Sequence, residues 1–200
     1  MLNRVILNKR ASGFGVGPTI NPCTKGLWVW SETLETQYNG ERLRVLVVDS
    51  EGIGAFDEDV NHDTKIFLLA LLICSTFIFN SMNTIDENAI NSLSLIINLS
   101  KELQIKKSEI LGESDPEDIQ KYFPSFLWVV RDFSLRLIDT YGNTINQKQY
   151  LENSLQPQKG SSDAVEQKNR IRRMIQMFFK DRDCFTMVRP VENEKELQNL

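Results

Sequence analysis

The sequence predicts an α/β domain built on a mixed, mostly parallel sheet flanked by helices. Three observations predict it. Short apolar runs alternate with stretches of helical periodicity, the pattern of strands joined by crossover helices. Two of those runs, Val45-Leu46-Val47-Val48 and Phe126-Leu127-Trp128-Val129-Val130, are apolar at successive positions, as strands buried on both faces are. Asn39-Gly40 is a tight-turn dipeptide that joins antiparallel neighbours. The chain's 200 residues, 41% of them hydrophobic, suffice for one domain with a sizeable core.

Taken in order, residues 25–32 carry aromatic and β-branched side chains and read as a strand. Asn39-Gly40 turns the chain, and 43–48 is the partner strand, buried on both faces. Residues 59–72 start with acidic, capping residues and continue as a helix. The run at 67–79, FLLALLICSTFIF, is far shorter than the about 20 residues of a membrane span, and it reads as that helix entering a buried strand at 75–79. Residues 86–104 place Ile90, Leu93, Ile97 and Leu99 near helical spacing, and 106–121 is a polar surface loop containing a proline. The strand at 126–130 ends in Arg131-Asp132. A short helix at 147–155, a loop at 158–162, a basic amphipathic helix at 165–179 and a last strand at 184–188 complete the chain. Trp28, Trp30, Trp128 and Cys74 are expected in the core. The basic cluster 168–173 reads as a solvated helix face, with a domain contact as the sharper alternative.

Composition removes several classes of function. A net charge of −4 argues against a general polyanion binder, so no nucleic acid is expected. The three cysteines are odd in number, widely spaced and without a CxxC pair. That pattern fits a reducing, cytoplasmic setting better than a disulfide scaffold or a zinc site. One histidine, His62, is too few for a His-rich metal centre and makes a Ser-His-Asp triad improbable; it reads as an exposed residue at a helix start, without a catalytic role. The first ten residues lack the apolar core of a signal peptide, and no transmembrane segment is expected. The sequon Asn98-Leu99-Ser100 carries no meaning in a cytosolic helix.

Chemistry concentrates where strands end, because ligands of open α/β sheets bind beyond the carboxyl ends of the strands. The first such end is Asp49-Ser50-Glu51-Gly52. An Asp there can hold magnesium, and a Gly shortly after lets a backbone N–H approach a phosphate oxygen. The same pattern also serves as an ordinary strand-to-turn junction. The second end is Arg131-Asp132, where the carboxylate either accepts N–H groups of a purine such as guanine or caps a helix. A third element, Asn21-Pro22-Cys23-Thr24-Lys25-Gly26, offers a loop Thr whose oxygens suit a metal.

Together these segments resemble the guanylate-binding proteins, dynamin-like large GTPases with the atlastins as relatives. The likeness runs through Thr24-Lys25-Gly26-Leu27-Trp28-Val29-Trp30, Val48 to Gly52, Ser75-Thr76-Phe77 with Asn80-Ser81, Phe126 to Leu135, and Cys184-Phe185 with Arg189-Pro190-Val191. It covers nearly the whole chain and implies a P-loop-NTPase-like GTPase domain over residues 1–200 that binds GTP or GDP with Mg2+ and hydrolyses GTP. Thr24 matches the switch I threonine of the magnesium site. Asp49 matches the DxxG aspartate and Gly52 its γ-phosphate-contacting glycine. Glu51 matches an acidic residue that orders the attacking water. Arg131 and Asp132 match the guanine-recognition pair. Arg189 opens the guanine cap, a loop that also meets a second G domain, so the resemblance implies a G-domain homodimer.

The resemblance also implies an amino-terminal strand and a GxxxxGK[ST] phosphate loop immediately ahead of Met1-Leu2-Asn3, with the family's arginine finger in that loop. No such motif occurs in the 200 residues. Gly13-Phe14-Gly15-Val16-Gly17 does not replace it, having neither a preceding strand nor a following GK[ST]. The expectation is therefore a fragment of a G domain, with a non-hydrolysing interaction module as the alternative. Pro22 stands where the family often has a catalytic Ser, and Val188 where an acidic residue is common.

Overall fold

In the computed structural model, the amino-terminal apolar runs make two small antiparallel ribbons, not one hairpin. The structure describes residues 1–9, 12–15, 23–52, 60–94 and 123–191, which fall in two units, Met1–Ala70 and Leu71–Asn199. In the first unit a π-helical turn, Leu2–Ile6, precedes four strands, β1 (Leu27–Val29), β2 (Leu34–Tyr38), β3 (Glu41–Val45) and β4 (Val48–Ser50). β2 and β3 form the hairpin around Asn39 and Gly40, whose φ angles of 50° and 84° are those of a type I′ turn. β1 pairs with β4, placing Trp28 opposite Asp49.

This corrects the single buried strand expected at 43–48. β2 was hidden in the sequence because Leu34-Glu35-Thr36-Gln37-Tyr38 alternates weakly, yet the tight turn forces it, not 25–32, to be the hairpin partner. All of β3 is exposed. Its neighbour Glu35 pairs with Arg42 at 3.1 Å and Arg44 at 3.7 Å on the polar face. The chain changes partner at Leu46-Val47, where Val47 turns inward to join Leu7 and Phe14, with Trp30 packed against them. Trp28 is not core. It is 52% exposed, and its indole N–H donates to the Lys25 carbonyl at 2.9 Å.

Helix α1 spans Val60–Ile73, so the expected helix is present; Asp59 lies outside the described residues. β5 (Thr76–Met82) follows directly, as the helix-into-strand reading of 67–79 required, but neither is the buried element expected: β5 is half-buried to exposed, and Leu69, Leu72 and Ile73 at the end of α1 are exposed. In the second unit β5, β6 (Ser125–Arg131) and β7 (Arg182–Thr186) form a parallel sheet in that order. Its inner face carries Phe77, Phe126, Trp128, Val130 and Cys184. Helices α2 (Glu87–Ser92), α3 (Gln147–Ser154) and α4 (Asp163–Phe178) supply Ile90, Leu151, Leu155, Ile171, Ile175 and Phe178 to the buried core. Each helix begins at a side-chain cap. Asp86 accepts from the Ala89 N–H, Asn146 and Gln149 form a reciprocal capping box, and Ser162 accepts from the Val165 N–H.

Two further expectations change. The helix expected over 86–104 ends at Ser92, with Leu93 as its carboxyl cap. Residues 95–104, the sequon and the loop at 106–121 lie outside the described residues. The basic cluster of α4 is not simply a solvated face: Arg172 is buried, ion-paired with Glu87, and donates from Nε to the Ser154 carbonyl at 3.3 Å. Beside it, buried Asn169 brackets the Gln158 backbone through both amide atoms.

All three cysteines are free, and only Cys23 is exposed. Burial, and then the charge of Asp183, push the Cys184 thiol up to about 12. Its stabilising contribution is therefore complete below the ordinary thiol value of 9.0 and falls as pH rises from there toward about 12. Alkylation of the native chain at pH 8 is expected to label Cys23 and spare Cys184, as peptide mass mapping reads directly. Labelling of Cys184 at the rate of Cys23 would contradict this burial.

Candidate functional site

Antiparallel pairing of β1 with β4 brings the amino-terminal entry of one strand beside the carboxyl-terminal exit of the other. Two segments separated by 25 positions thereby meet. The Thr24 hydroxyl donates to Asp49 Oδ2 at 2.8 Å. The Gly26 N–H donates to Glu51 Oε2 at 2.7 Å, and the Glu51 N–H donates back to the Gly26 carbonyl at 3.0 Å. Gly26 adopts φ 71°, a conformation that side-chain-bearing residues rarely take, which accounts for a glycine at this bracket.

Glu51 is buried. Its second oxygen, Oε1, lies 2.5 Å from His62 Nε2 on the first turn of α1, with no N–H of the described residues aligned on it. Gly52 is exposed, and a Cβ there would meet no atom within 4 Å. Among the described residues, no packing calls for a glycine at position 52.

The second unit holds the other three residues singled out by sequence. Parallel strands end on one edge, so Met82, Arg131 and Thr186 lead into loops side by side. Asp132 forms a one-residue arch at that edge with φ 56°, a left-handed conformation uncommon for a non-glycine residue. Main-chain bonds hold it on both sides. The Asn83 N–H donates to the Arg131 carbonyl at 2.7 Å, and the Phe133 N–H donates to the Met187 carbonyl at 2.9 Å. Arg131 leans back along the sheet and donates from Nε to Asn80 Oδ1 at 2.8 Å. Asp132 is no helix cap, since Phe133 continues as loop. Arg189 follows the same edge and is exposed.

The structure thus brings Thr24, Asp49 and Glu51 together in one unit, and Arg131 with Asp132 in the other. Pro22 lies outside the described residues. Sequence reasoning missed the parts played by Gly26, His62 and Asn80. Gly26 and Asn80 stood inside quoted motifs, but their contacts depend on strand register, which the motifs do not encode. His62 gave no local signal.

The first unit collects two carboxylates, a hydroxyl and an exposed glycine beside the end of β4. The second presents Arg131 and Asp132 at the carboxyl end of a parallel strand, where open α/β sheets hold ligands. A family model for the guanylate-binding protein N-terminal domain matches residues 1–200. The chain is 36% identical over 190 residues to Guanylate-binding protein 6 of Homo sapiens, covering 94% of this chain and 29% of that protein. It is 36% identical over 198 residues to Guanylate-binding protein 5 of Homo sapiens, covering 96% of this chain and 33% of the relative. With Guanylate-binding protein 3 of Mus musculus it shares 35% over 202 residues, covering 100% of this chain and 32% of the relative. The chain belongs to the guanylate-binding protein N-terminal domain family, and it spans about a third of the length of these relatives. Among the described residues, no helix is long and apolar enough to cross a membrane.

Proposed function

We propose that residues 1–200 are part of a P-loop-GTPase-type G domain that binds GTP and GDP with Mg2+ and, in the whole protein, hydrolyses GTP. The observation that carries this reading is the Thr24 to Asp49 contact, a hydroxyl and a carboxylate from two distant segments meeting at 2.8 Å. Both are hard oxygen ligands of the kind magnesium prefers. The described residues contain no cluster of three His, Cys, Asp or Glu side chains able to hold a metal, which fits an ion held by two protein oxygens with phosphate and water completing its shell. When bound, Mg2+ neutralises charge on the terminal phosphates.

The chain's own residues divide the remaining work. Gly52 leaves space for a backbone N–H to approach the γ-phosphate. Glu51 fixes the Gly26 peptide and borders the place of the attacking water. Asp132 accepts the N–H donors of guanine, with Arg131 beside it on the strand end. Arg189 begins a cap over the base, and that cap pairs with a second G domain in a homodimer. Three free cysteines fit a cytoplasmic protein.

The test is titration of the full natural protein with a fluorescent GTP analogue, with and without EDTA, and with unlabelled GTP or ATP as competitor. Magnesium-dependent binding displaced by GTP and not by ATP is expected. Equal displacement by ATP would overturn the assignment of Asp132. The 200-residue chain assayed alone is expected to release no phosphate, because no GxxxxGK[ST] segment occurs among its residues.

A further inference from the structure

His62 is the single histidine in the chain, and its imidazole, 42% exposed, lies against a carboxylate that is almost wholly buried. Glu51 has two oxygens to satisfy. Oε2 is occupied by the Gly26 N–H at 2.7 Å. Among the described residues Oε1 receives no aligned hydrogen bond, and His62 Nε2 stands 2.5 Å away. A buried carboxylate oxygen without a donor or cation beside it is costly, so the imidazole is what makes this inward placement of Glu51 tolerable. Remove it, and the carboxylate gains by swinging toward water. The Gly26 N–H then loses its acceptor, and the left-handed Gly26 peptide is held from the Glu51 side only through its carbonyl. Thr24, next but one along the chain, is then no longer held to Asp49 from that side.

We infer that His62 is a positioning residue that acts through Glu51 to hold the segment carrying Thr24 and Gly26 against the strand end carrying Asp49 and Gly52. The inference rests on the proposed reading of this site as the switch region of a G domain. It follows that His62 matters most for the triphosphate state, whose γ-phosphate is proposed to meet Gly52, and less for the diphosphate state, which has no γ-phosphate to engage that segment.

Two measurements on the full natural protein test this. The imidazole nitrogen resonances of His62, assigned in a histidine-labelled sample by their loss in His62→Ala, respond to Glu51→Gln if the contact exists; unchanged resonances would overturn it. Affinities for GDP and for a non-hydrolysable GTP analogue, both with Mg2+, are then compared across wild type, His62→Ala and His62→Gln. The alanine variant is expected to weaken the triphosphate analogue about tenfold while GDP binding changes less than about twofold, and glutamine, which keeps a donor, restores most of the difference. An unchanged triphosphate-to-diphosphate ratio overturns the positioning role while leaving the site assignment standing. Equal losses for both nucleotides with a lowered melting temperature also overturn it, as the mark of a purely structural histidine. Failure of the wild-type protein to bind either guanine nucleotide overturns the G-domain reading itself, and the inference with it.

Discussion

Asp132→Asn in the full natural protein is expected to lower affinity for guanine nucleotides by about a hundredfold and to turn the site toward xanthine nucleotides. The carboxylate is proposed to accept two N–H groups from the guanine edge, and hydrogen bonds to a charged acceptor are worth about 1.5–3 kcal/mol each. An amide keeps one acceptor and presents its NH2 where the guanine amino group needs an oxygen. Losing one such bond and opposing two donors removes about 3 kcal/mol, or about two powers of ten. Xanthine carries a carbonyl at the position of that amino group, so the amide meets it correctly. The backbone argues that the substitution is clean. Asp132 sits at φ 56°, which Asn adopts at least as readily as Asp, and its neighbours are fixed by main-chain bonds from Asn83 and to Met187. Ala would be a poorer probe, because it removes the side chain and strains the arch together. Calorimetric titration with GDP and XDP, with a melting curve as control, decides it. Undiminished GDP affinity would mean that Asp132 does not read the base.

The sequence was most legible where one property dominated. Residues 126–130 are apolar at every position, and β6 is the central strand of its sheet with Trp128, Val129 and Val130 buried. Asn39-Gly40 forces its turn whatever surrounds it. Reading failed where pairing partners decide. Val45 and Val48 look like one strand, yet the turn hands Val45 to Leu34 while Val48 pairs with Val29. Trp28 looks like core but stands on a two-stranded ribbon with room for solvent on its face. Arg172 looks like surface charge, yet Glu87 draws it inward from another helix. The candidate site shows the same division. Thr24, Asp49, Arg131 and Asp132 stood out as candidates from their types and their places beside strands. The Gly26 to Glu51 bracket, the His62 contact and the Asn80 brace were not, because each joins residues whose proximity follows from register.

Trp128 is the largest fully buried side chain among the described residues, and Trp128→Ala is expected to cost about 3–5 kcal/mol. The indole is 0% exposed at the centre of the parallel sheet. Its ring meets Phe79 edge-on at 5.0 Å and Phe126 edge-on at 6.0 Å between centroids, and its N–H donates to Ser81 Oγ at 2.9 Å. Truncation removes these contacts together, leaves a cavity between sheet and helices, and strips the Ser81 hydroxyl of its donor. Set against a total of about 5–15 kcal/mol for a domain, that loss leaves a chain marginally folded at best. Trp128→Phe separates the terms: it keeps an aromatic ring against Phe79 and Phe126 and loses the N–H and part of the volume, for about 1–2 kcal/mol. Urea unfolding followed by far-ultraviolet circular dichroism measures both. A loss below about 1 kcal/mol for the alanine variant would mean that this aromatic stack does not hold the sheet together. Because Trp128 packs inward while Asp132 is presented at the strand's end, the phenylalanine variant is expected to keep its preference for guanine over xanthine nucleotides. Stability and the proposed base recognition are then separable on a single strand, the first set by the side chain at its buried centre and the second assigned to the carboxylate at its tip.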